Sequence, residues 1–262
     1  MNIIESIIIG LVQGLTEFLP VSSSGHIVLL QNVFGIQEQQ IFFGVMVHLA
    51  TLVAVTIVLW KDILKILKNL FGHMTWMIVI ASIPAVIIGA LFSDFFEEAF
   101  GGASLGYMFL LTALILTLSE KLYSRQRKNP RQEVNLKNAL SMGIMQALAI
   151  LPGVSRSGST IAGGLFTGMN REAAAKFSFL MSIPIILGSA IFEGYDAVKV
   201  GIGNVDWLPV ILGMVAACIS GYVAVKFMLN LIKRKRLYGF AVYVGILGAL
   251  VILDQLVFHV FF

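Results

Sequence analysis

The chain has 262 residues, of which 58% are hydrophobic and 12% are charged, and its mean hydropathy is +0.92. Soluble domains carry about 25% charged residues, so this composition excludes a soluble globular protein and indicates one that crosses a membrane several times. The single cysteine, Cys218, excludes an internal disulfide. The net charge of +4 does not indicate a nucleic-acid partner, because Lys and Arg cluster at the ends of apolar stretches.

The first apolar stretch, residues 3–34, is interrupted by the sequence QGLTEFLPVSSSGH, which begins at Gln13 and ends at His26. Pro20 removes a backbone donor and Gly25 frees the backbone, so we predict two half-helices joined by a serine-rich turn. A carboxylate at the centre of a bilayer costs about 2.5 to 3.5 kcal/mol and normally faces a protein interior. Glu17 therefore marks a candidate functional site.

The remaining apolar stretches predict six transmembrane helices in two groups of three. The first group comprises residues 41–60, 74–92 and 105–120, and it is followed by a basic linker at residues 123–134. A second interrupted stretch, residues 136–168, precedes the second group, which comprises residues 177–193, 207–231 and 238–258.

The two interrupted stretches resemble each other at an offset of 133 residues (143 minus 10). The matching pairs are Gly10/Gly143, Gln13/Gln146, Leu15/Leu148, Val21/Val154, Ser22/Ser155, Ser24/Ser157 and Gly25/Gly158. Paired, interrupted hydrophobic segments in two halves of a chain are a sequence sign of a membrane binding site.

Basic loops stay in the cytoplasm, so the linker is predicted inside and both termini outside. The halves 1–122 and 135–262 are then inverted repeats, each with one re-entrant helical pair and three transmembrane helices. The predicted fold is an all-α polytopic membrane protein. Because irregular backbone at membrane depth survives only where protein buries it or it lines a cavity, the two turns are expected to meet near the midplane.

The second turn, PGVSRSGST from Pro152 to Thr160, has the features of a phosphate site. Small residues let backbone N–H groups approach an anion at the start of a helix, and Arg156 matches phosphate oxygens with its planar guanidinium. We predict that hydroxyl groups of both turns bind the phosphate together with Arg156: Ser22, Ser24, Ser155, Ser157 and Thr160. A helix-capping turn with an arginine reaching the surface is the alternative.

In the first turn, Glu17 is predicted to hold a divalent cation or to act as a base, and Gln13, four residues earlier, can share its face. Without a cysteine or histidine cluster, such a cation is expected to be Mg²⁺ or Ca²⁺. Ser23 offers a nucleophilic hydroxyl and His26 a proton carrier. His48 stands alone in an apolar span and is interpreted as a packing residue, and His73 and His259 lie at span ends.

Both turns closely resemble the signature motifs of the bacterial undecaprenyl-diphosphate phosphatase, or bacitracin-resistance, membrane family. The family pattern has Glu or Gln, three residues and then Glu, which here are Gln13 and Glu17. The resemblance implies hydrolysis of undecaprenyl diphosphate to the monophosphate carrier reused in peptidoglycan synthesis, and hence bacitracin resistance. Within it we assign Ser23 as nucleophile, with His26 and Glu17 as acid/base or metal partners. Attack by a metal-bound water, with Ser23 as a phosphate ligand, is the alternative.

A flippase or other secondary transporter of an anionic lipid is the competing function, because inverted repeats with broken helices are also a carrier architecture. A carrier has no need of a hydroxyl beside an acid and a histidine, so the first turn favours an enzyme. The expected location is the bacterial plasma membrane, with the site open to the outer face. Small-residue pairs allow close helix packing and a homodimer: Gly10/Gly14, Gly102/Gly106 and Gly164/Gly168.

Overall fold

The computed structural model describes residues 1–36, 41–92, 95, 102–126, 130, 132–200 and 205–262, and this part of the chain is helical without strands. Residues 127–129 and 131 of the predicted linker lie outside the described residues. The helices are α1 (Ile3–Phe18), α2 (Ser23–Phe34), α3 (Ile41–Val58), α4 (Trp60–Lys68), α5 (His73–Leu91), α6 (Leu105–Gln126), α7 (Leu136–Leu148), α8 (Arg156–Phe166), α9 (Arg171–Val200), α10 (Trp207–Arg234) and α11 (Tyr238–Leu253), which a short π-helix (Asp254–Phe258) extends.

Five of the described helices are long and apolar enough to cross a membrane, and a sixth is counted if α3 and α4 form one bent span. The five candidates are α5, α6, α9, α10 and α11 with its π-helical extension. Many large apolar side chains on these helices are exposed, as expected for surfaces that face lipid. The chain is therefore a multi-pass membrane protein.

The first interrupted stretch forms two helices with a break before Ser23. Asn2 begins α1 with a capping box, and Leu19, just before Pro20, is extended with φ −78° and ψ 145°. The residue before a proline is disfavoured in helical geometry, which accounts for the end of α1. Ser22 caps α2 by accepting a hydrogen bond from the backbone N–H of Gly25.

The second interrupted stretch has the same construction. Asn135 starts α7 with a capping box, and the chain leaves helical geometry after Leu148. Gly153 has φ +92°, a left-handed conformation that favours glycine, and it carries the chain through the break. Ser155 then caps α8 by accepting a hydrogen bond from the N–H of Gly158.

The predicted span 41–60 differs from the structure at its C-terminal end, because α3 ends at Val58. The chain bends by 81° after Val58 and continues as the short helix α4, which carries the first basic cluster. The helix that contains the predicted span 177–193 is longer than that span, because α9 begins at Arg171 and ends at Val200. Charged residues at helix ends can remain helical, so hydropathy alone underestimates these lengths.

Small residues bring helices from the two halves into close contact. A Cβ added to Gly10 would lie 2.2 Å from the carbonyl oxygen of Gly213 on α10, and one on Gly143 would lie 2.5 Å from that of Ala81 on α5. A Cβ on Gly106 of α6 would lie 2.9 Å from the carbonyl oxygen of Gly248 on α11. Gly10 and Gly106 thus pack within one chain, so they offer no surface for a second copy.

A buried carboxylate on α6 links this helix to α9 and to the start of α11. Glu120 on α6 is fully buried and accepts two hydrogen bonds of 2.5 Å from the guanidinium of Arg171 on α9. The same carboxylate accepts a hydrogen bond from the backbone N–H of Leu237, just before α11. The guanidinium also lies over the ring of Tyr123.

Candidate functional site

The two helix breaks lie against each other in the interior. Ser157, in the first turn of α8, donates a hydrogen bond of 2.8 Å to the carbonyl of Leu19 in the first break. A Cβ placed on Gly25 would lie 2.9 Å from the Cα of Gly153, so the backbones of the two breaks are in contact. The N-termini of α2 and α8 therefore bring the positive ends of two helices into one region.

The carboxylate of Glu17 is the centre of this region. Glu17 lies in the last turn of α1, and its side chain is 6% exposed. One oxygen, Oε1, accepts a hydrogen bond of 2.6 Å from Nη2 of Arg156. The other, Oε2, accepts from Oγ of Ser23 at 2.6 Å and from Nε2 of Gln13 at 3.0 Å. Oε1 accepts from a charged guanidinium, and Oε2 accepts a short hydrogen bond from a hydroxyl. These contacts hold the Glu17 carboxylate in a fixed orientation.

Arg156 has donor capacity that the protein does not use. It is the first residue of α8, and its Nη1 is buried without a hydrogen-bond partner among the described residues. A buried donor left unsatisfied costs about 1 to 3 kcal/mol, so such groups are rare unless a ligand completes them. A phosphate oxygen is a suitable partner, because guanidinium groups bind phosphate in a bidentate manner.

Ser23, which the sequence analysis predicts to be the nucleophile, lies beside the carboxylate of Glu17. Its hydroxyl hydrogen points at Glu17, so the carboxylate, rather than the histidine, is the base within hydrogen-bond reach. Ser22, just before it, has φ +72°, which is unfavourable for a residue with a side chain. Strained backbone of this kind is typical of active sites, where it fixes the direction of a functional group.

His26 has partners other than those predicted. Its Nδ1 lies 2.7 Å from the carbonyl oxygen of Ser22. Because a carbonyl can only accept, Nδ1 carries the proton and Nε2 of the neutral ring accepts from the hydroxyl of Tyr243 at 2.8 Å. The rings of His26 and Tyr243 are stacked with centroids 5.8 Å apart. The sequence placed His26 next to Ser23, whereas the structure directs its ring to α11.

The predicted phosphate-binding hydroxyls are mostly engaged in local contacts. Ser22 and Ser155 cap their helices, and Thr160 donates to the carbonyl of Arg156 and contacts the hydroxyl of Ser178. Ser24 lies 3.4 Å from the hydroxyl of Ser22. The capping interpretation therefore holds for Ser22 and Ser155. A capping hydroxyl keeps a free lone pair and a movable hydrogen, so it can still donate to a phosphate.

Two site residues were not found from the sequence. His48 on α3, interpreted as a packing residue, places Nε2 4.0 Å from Oε2 of Glu17. A signal for it existed, because an ionisable residue at membrane depth is by default a candidate functional residue. Tyr243 lies in an apolar helix 217 residues after His26, and no local pattern indicates their contact.

The donor atoms around Glu17 suit a hard divalent cation. Oε1 of Gln13 is buried and has no hydrogen-bond partner in the described part of the chain, and it belongs to the amide whose Nε2 donates to the Glu17 carboxylate. Carboxylate and amide oxygens are the ligands that Mg²⁺ and Ca²⁺ prefer. Among the described residues no three His, Cys, Asp or Glu side chains converge on one point, so an amide or substrate oxygen would have to complete the ligand set.

These features define a class: a multi-pass helical membrane protein in which an acid, a serine and an arginine are in hydrogen-bond contact where two helix breaks meet. Residues 6–250 match the family model described as bacitracin resistance protein BacA, and the chain belongs to that family.

Several curated relatives cover nearly the whole chain. An undecaprenyl-diphosphatase of Carboxydothermus hydrogenoformans is 47% identical over 258 residues, which span 97% of this chain and 98% of the relative. A protein of the same name from Halothermothrix orenii is 43% identical over 258 residues, with the same coverage. One from Bacteroides thetaiotaomicron is 42% identical over 268 residues, spanning 98% of this chain and 100% of the relative.

Proposed function

We propose that this protein hydrolyses undecaprenyl diphosphate to undecaprenyl phosphate and inorganic phosphate, which returns the lipid carrier to peptidoglycan synthesis and gives bacitracin resistance. Membership of the family and the printed names of the relatives support this activity and do not favour the transporter. The observation that carries the proposal is the convergence of Ser23 and Arg156 on the two oxygens of Glu17.

In the proposed reaction, the terminal phosphate lies between the N-termini of α2 and α8. The unpaired Nη1 of Arg156 donates to a terminal phosphate oxygen, together with backbone N–H groups and nearby hydroxyls of the two turns. Phosphoryl transfer depends mainly on such positioning and charge neutralisation. The lipid chain leaves the site between the apolar helices.

Ser23 is the proposed nucleophile. Its Oγ attacks the terminal phosphorus while its proton passes to Oε2 of Glu17, 2.6 Å away. The bond from that phosphorus to the bridging oxygen breaks, Glu17 returns its proton to the leaving phosphate, and undecaprenyl phosphate departs. Water then attacks the phosphoserine while the Glu17 carboxylate takes one of its protons. The bond from phosphorus to Oγ breaks, Glu17 gives that proton to Oγ, and inorganic phosphate is released with the serine restored. His26 is proposed to carry a proton on Nε2, the nitrogen that accepts a hydrogen bond from the Tyr243 hydroxyl in the structure.

The proposed cofactor is Mg²⁺ or Ca²⁺, held by the carboxylate of Glu17 and the free amide oxygen of Gln13. When bound, the cation would neutralise negative charge on the diphosphate. Phosphate binding, nucleophilic attack and proton transfer are assigned to side chains and backbone groups of the chain itself.

The inverted repeat is the proposed architecture, and the helix positions support it. Three pairs begin at the same offset of 133 residues (136 minus 3, 156 minus 23 and 238 minus 105): α1/α7, α2/α8 and α6/α11. The packing of α1 on α10 also corresponds to that of α7 on α5. Each half, 1–122 and 135–262, would then supply one re-entrant pair and three spans.

The proposed orientation has both termini outside the plasma membrane and the site open to the outer face. An impermeant thiol reagent tests it on a Ser24→Cys protein in a Cys218→Ala background. Labelling in intact cells supports the outward opening, and labelling only after permeabilisation contradicts it. A homodimer also remains part of the proposal, and it would need a surface other than Gly10 and Gly106.

The direct test of the activity is phosphate release from undecaprenyl diphosphate by the purified protein in detergent micelles, with magnesium and with chelator. A transporter moves its lipid without breaking a bond in it, so a transporter in micelles would release no phosphate. Release that stops with chelator supports both the enzyme and its cation. A folded protein that binds the lipid without releasing phosphate would overturn the proposed function.

A further inference from the structure

His48 directs its ring nitrogen Nε2 toward the carboxylate of Glu17. Its Nδ1 lies 2.7 Å from the carbonyl oxygen of Gly44, so Nδ1 carries the proton of the neutral ring. The lone pair of Nε2 then faces Oε2 of Glu17 at 4.0 Å, too far for a hydrogen bond. Two groups that both offer lone pairs are thus directed toward the same space.

Gln13, which donates to the same oxygen of Glu17, has an unused acceptor of its own. It is fully buried, and its Nε2 is used by Glu17, which leaves Oε1 without a partner among the described residues. Exchanging the amide atoms would place Oε1 against the carboxylate, which is repulsive, so the amide orientation is determined by Glu17. Around Glu17 there are therefore an imidazole nitrogen that faces the carboxylate and an amide oxygen without a partner in the described part of the chain.

The distance between the two facing atoms fits one bound ion. Metal bonds to imidazole nitrogen and carboxylate oxygen are about 2.1 Å long, so one ion can bridge atoms separated by 4.0 Å. The His48 side chain is 34% exposed whereas that of Glu17 is 6% exposed, which leaves an approach to the site on the histidine side.

We propose that His48 is a ligand, together with Glu17 and Gln13, of the divalent cation that the proposed function employs. The inference rests on that function for the identity of the reaction, but the ligand set stands on its own geometry. An imidazole in the set favours transition metals over Mg²⁺ and Ca²⁺, and Mn²⁺ accepts both oxygen and nitrogen ligands. The site is therefore expected to bind Mn²⁺ more tightly than Mg²⁺.

A histidine that only forms an ion pair with Glu17 is the competing explanation. In that case Nε2 is protonated, it points at Oε2 as a donor, and it cannot bind a metal. The two explanations differ in one observable, which is whether the nitrogen of His48 is bonded to a metal ion.

Electron spin echo measurements with Mn²⁺ as the probe test the proposal on the full-length protein in detergent. Directly bound imidazole nitrogen modulates the Mn²⁺ echo, and labelling the histidines with ¹⁵N changes that modulation in the wild-type protein without any substitution. We expect the modulation in the wild type, in His26→Gln and in His73→Gln. We expect its loss in His48→Gln, with an affinity for Mn²⁺ lower by at least about 10-fold.

Wild-type protein that binds no Mn²⁺, or binds it without nitrogen modulation, overturns the proposal, as does modulation that persists in His48→Gln. Phosphate release measured on the same samples separates this inference from the proposed function. If phosphate is released but the Mn²⁺ echo shows no nitrogen modulation, only the role of His48 is refuted and the phosphatase stands. If the echo shows nitrogen modulation but no phosphate is released, the metal site is supported and the phosphatase is refuted.

Discussion

Nη2 of Arg156 lies 2.6 Å from Oε1 of Glu17, although the two residues are 139 positions apart in the chain. Glu17 lies in the last turn of the first half-helix of one interrupted stretch, and Arg156 begins the second half-helix of the other. The ion pair therefore joins the two breaks at the place where a phosphate is expected. It also keeps the carboxylate charged in a buried environment, where an unpaired charge would be costly.

Replacing Arg156 with lysine tests whether the guanidinium geometry matters beyond its charge. The ammonium of lysine is a single point charge and cannot reproduce the planar fork with which a guanidinium contacts Glu17 and a phosphate through two different nitrogens. We expect kcat/KM for phosphate release to fall about 100-fold, the loss typical of one transition-state donor. Arg234→Lys, at an exposed position, is the matched control and is expected to keep wild-type activity. Equal activity of Arg156→Lys and the control would refute the proposed role.

Ser23→Ala tests the nucleophile. Loss of Oγ removes the attacking atom, and we expect phosphate release to slow by about 1,000-fold or more. Rapid acid quench followed by mass spectrometry should detect a phosphoserine at position 23 in the wild type. Ser124→Ala, which removes an exposed hydroxyl that donates to the carbonyl of Lys121, serves as the control. A Ser23→Ala protein that retains most of its activity would indicate attack by water.

Glu120→Gln tests the buried ion pair that links α6, α9 and the start of α11. The amide cannot neutralise Arg171, so a buried cation is left without its partner. We expect unfolding in detergent to become easier by about 3 to 5 kcal/mol, seen as a lower Tm. Glu172→Gln breaks the exposed pair with Lys233 and should cost at most about 1 kcal/mol. Similar losses in both proteins would argue against a structural role for Glu120.

Gly14→Ala tests the close contact of α1 with α10. The new Cβ would lie 2.1 Å from Oγ of Ser220 and 2.3 Å from the carbonyl of Ala217, so the helices must separate. We expect a loss of about 1 to 3 kcal/mol in unfolding free energy. Gly188→Ala places a Cβ where no atom lies within 4 Å, and it should not destabilise the fold. Thermal unfolding that ranks the two variants in the opposite order would contradict the packing.

The breaks in the two interrupted stretches were predictable because their causes are local. Pro20 and Gly153 disfavour helical geometry whatever their tertiary contacts. Ser22 and Ser155 cap the helices that follow. The contact between the breaks was also predictable, because irregular backbone at membrane depth has to be buried by protein.

The partners of single side chains were less accessible from the sequence. His26 turns toward Tyr243, which depends on the packing of α11 and on no local pattern. His48 reaches Glu17 because α3 packs near α1, and an apolar span does not reveal which face will point inward. The bend that separates α4 from α3 was missed for a similar reason, since basic residues at a span end are compatible with either a loop or a surface helix.

The central claim is that Glu17 and Arg156, from different halves of the chain, act in one site on one phosphate. Single-turnover phosphate release should be measured for the wild type, Glu17→Gln, Arg156→Lys and the double variant. Residues that act as a unit are non-additive, so we predict that the double variant is about as slow as the slower single variant. A double variant slowed by the product of the two single effects would show independent roles and would contradict the account.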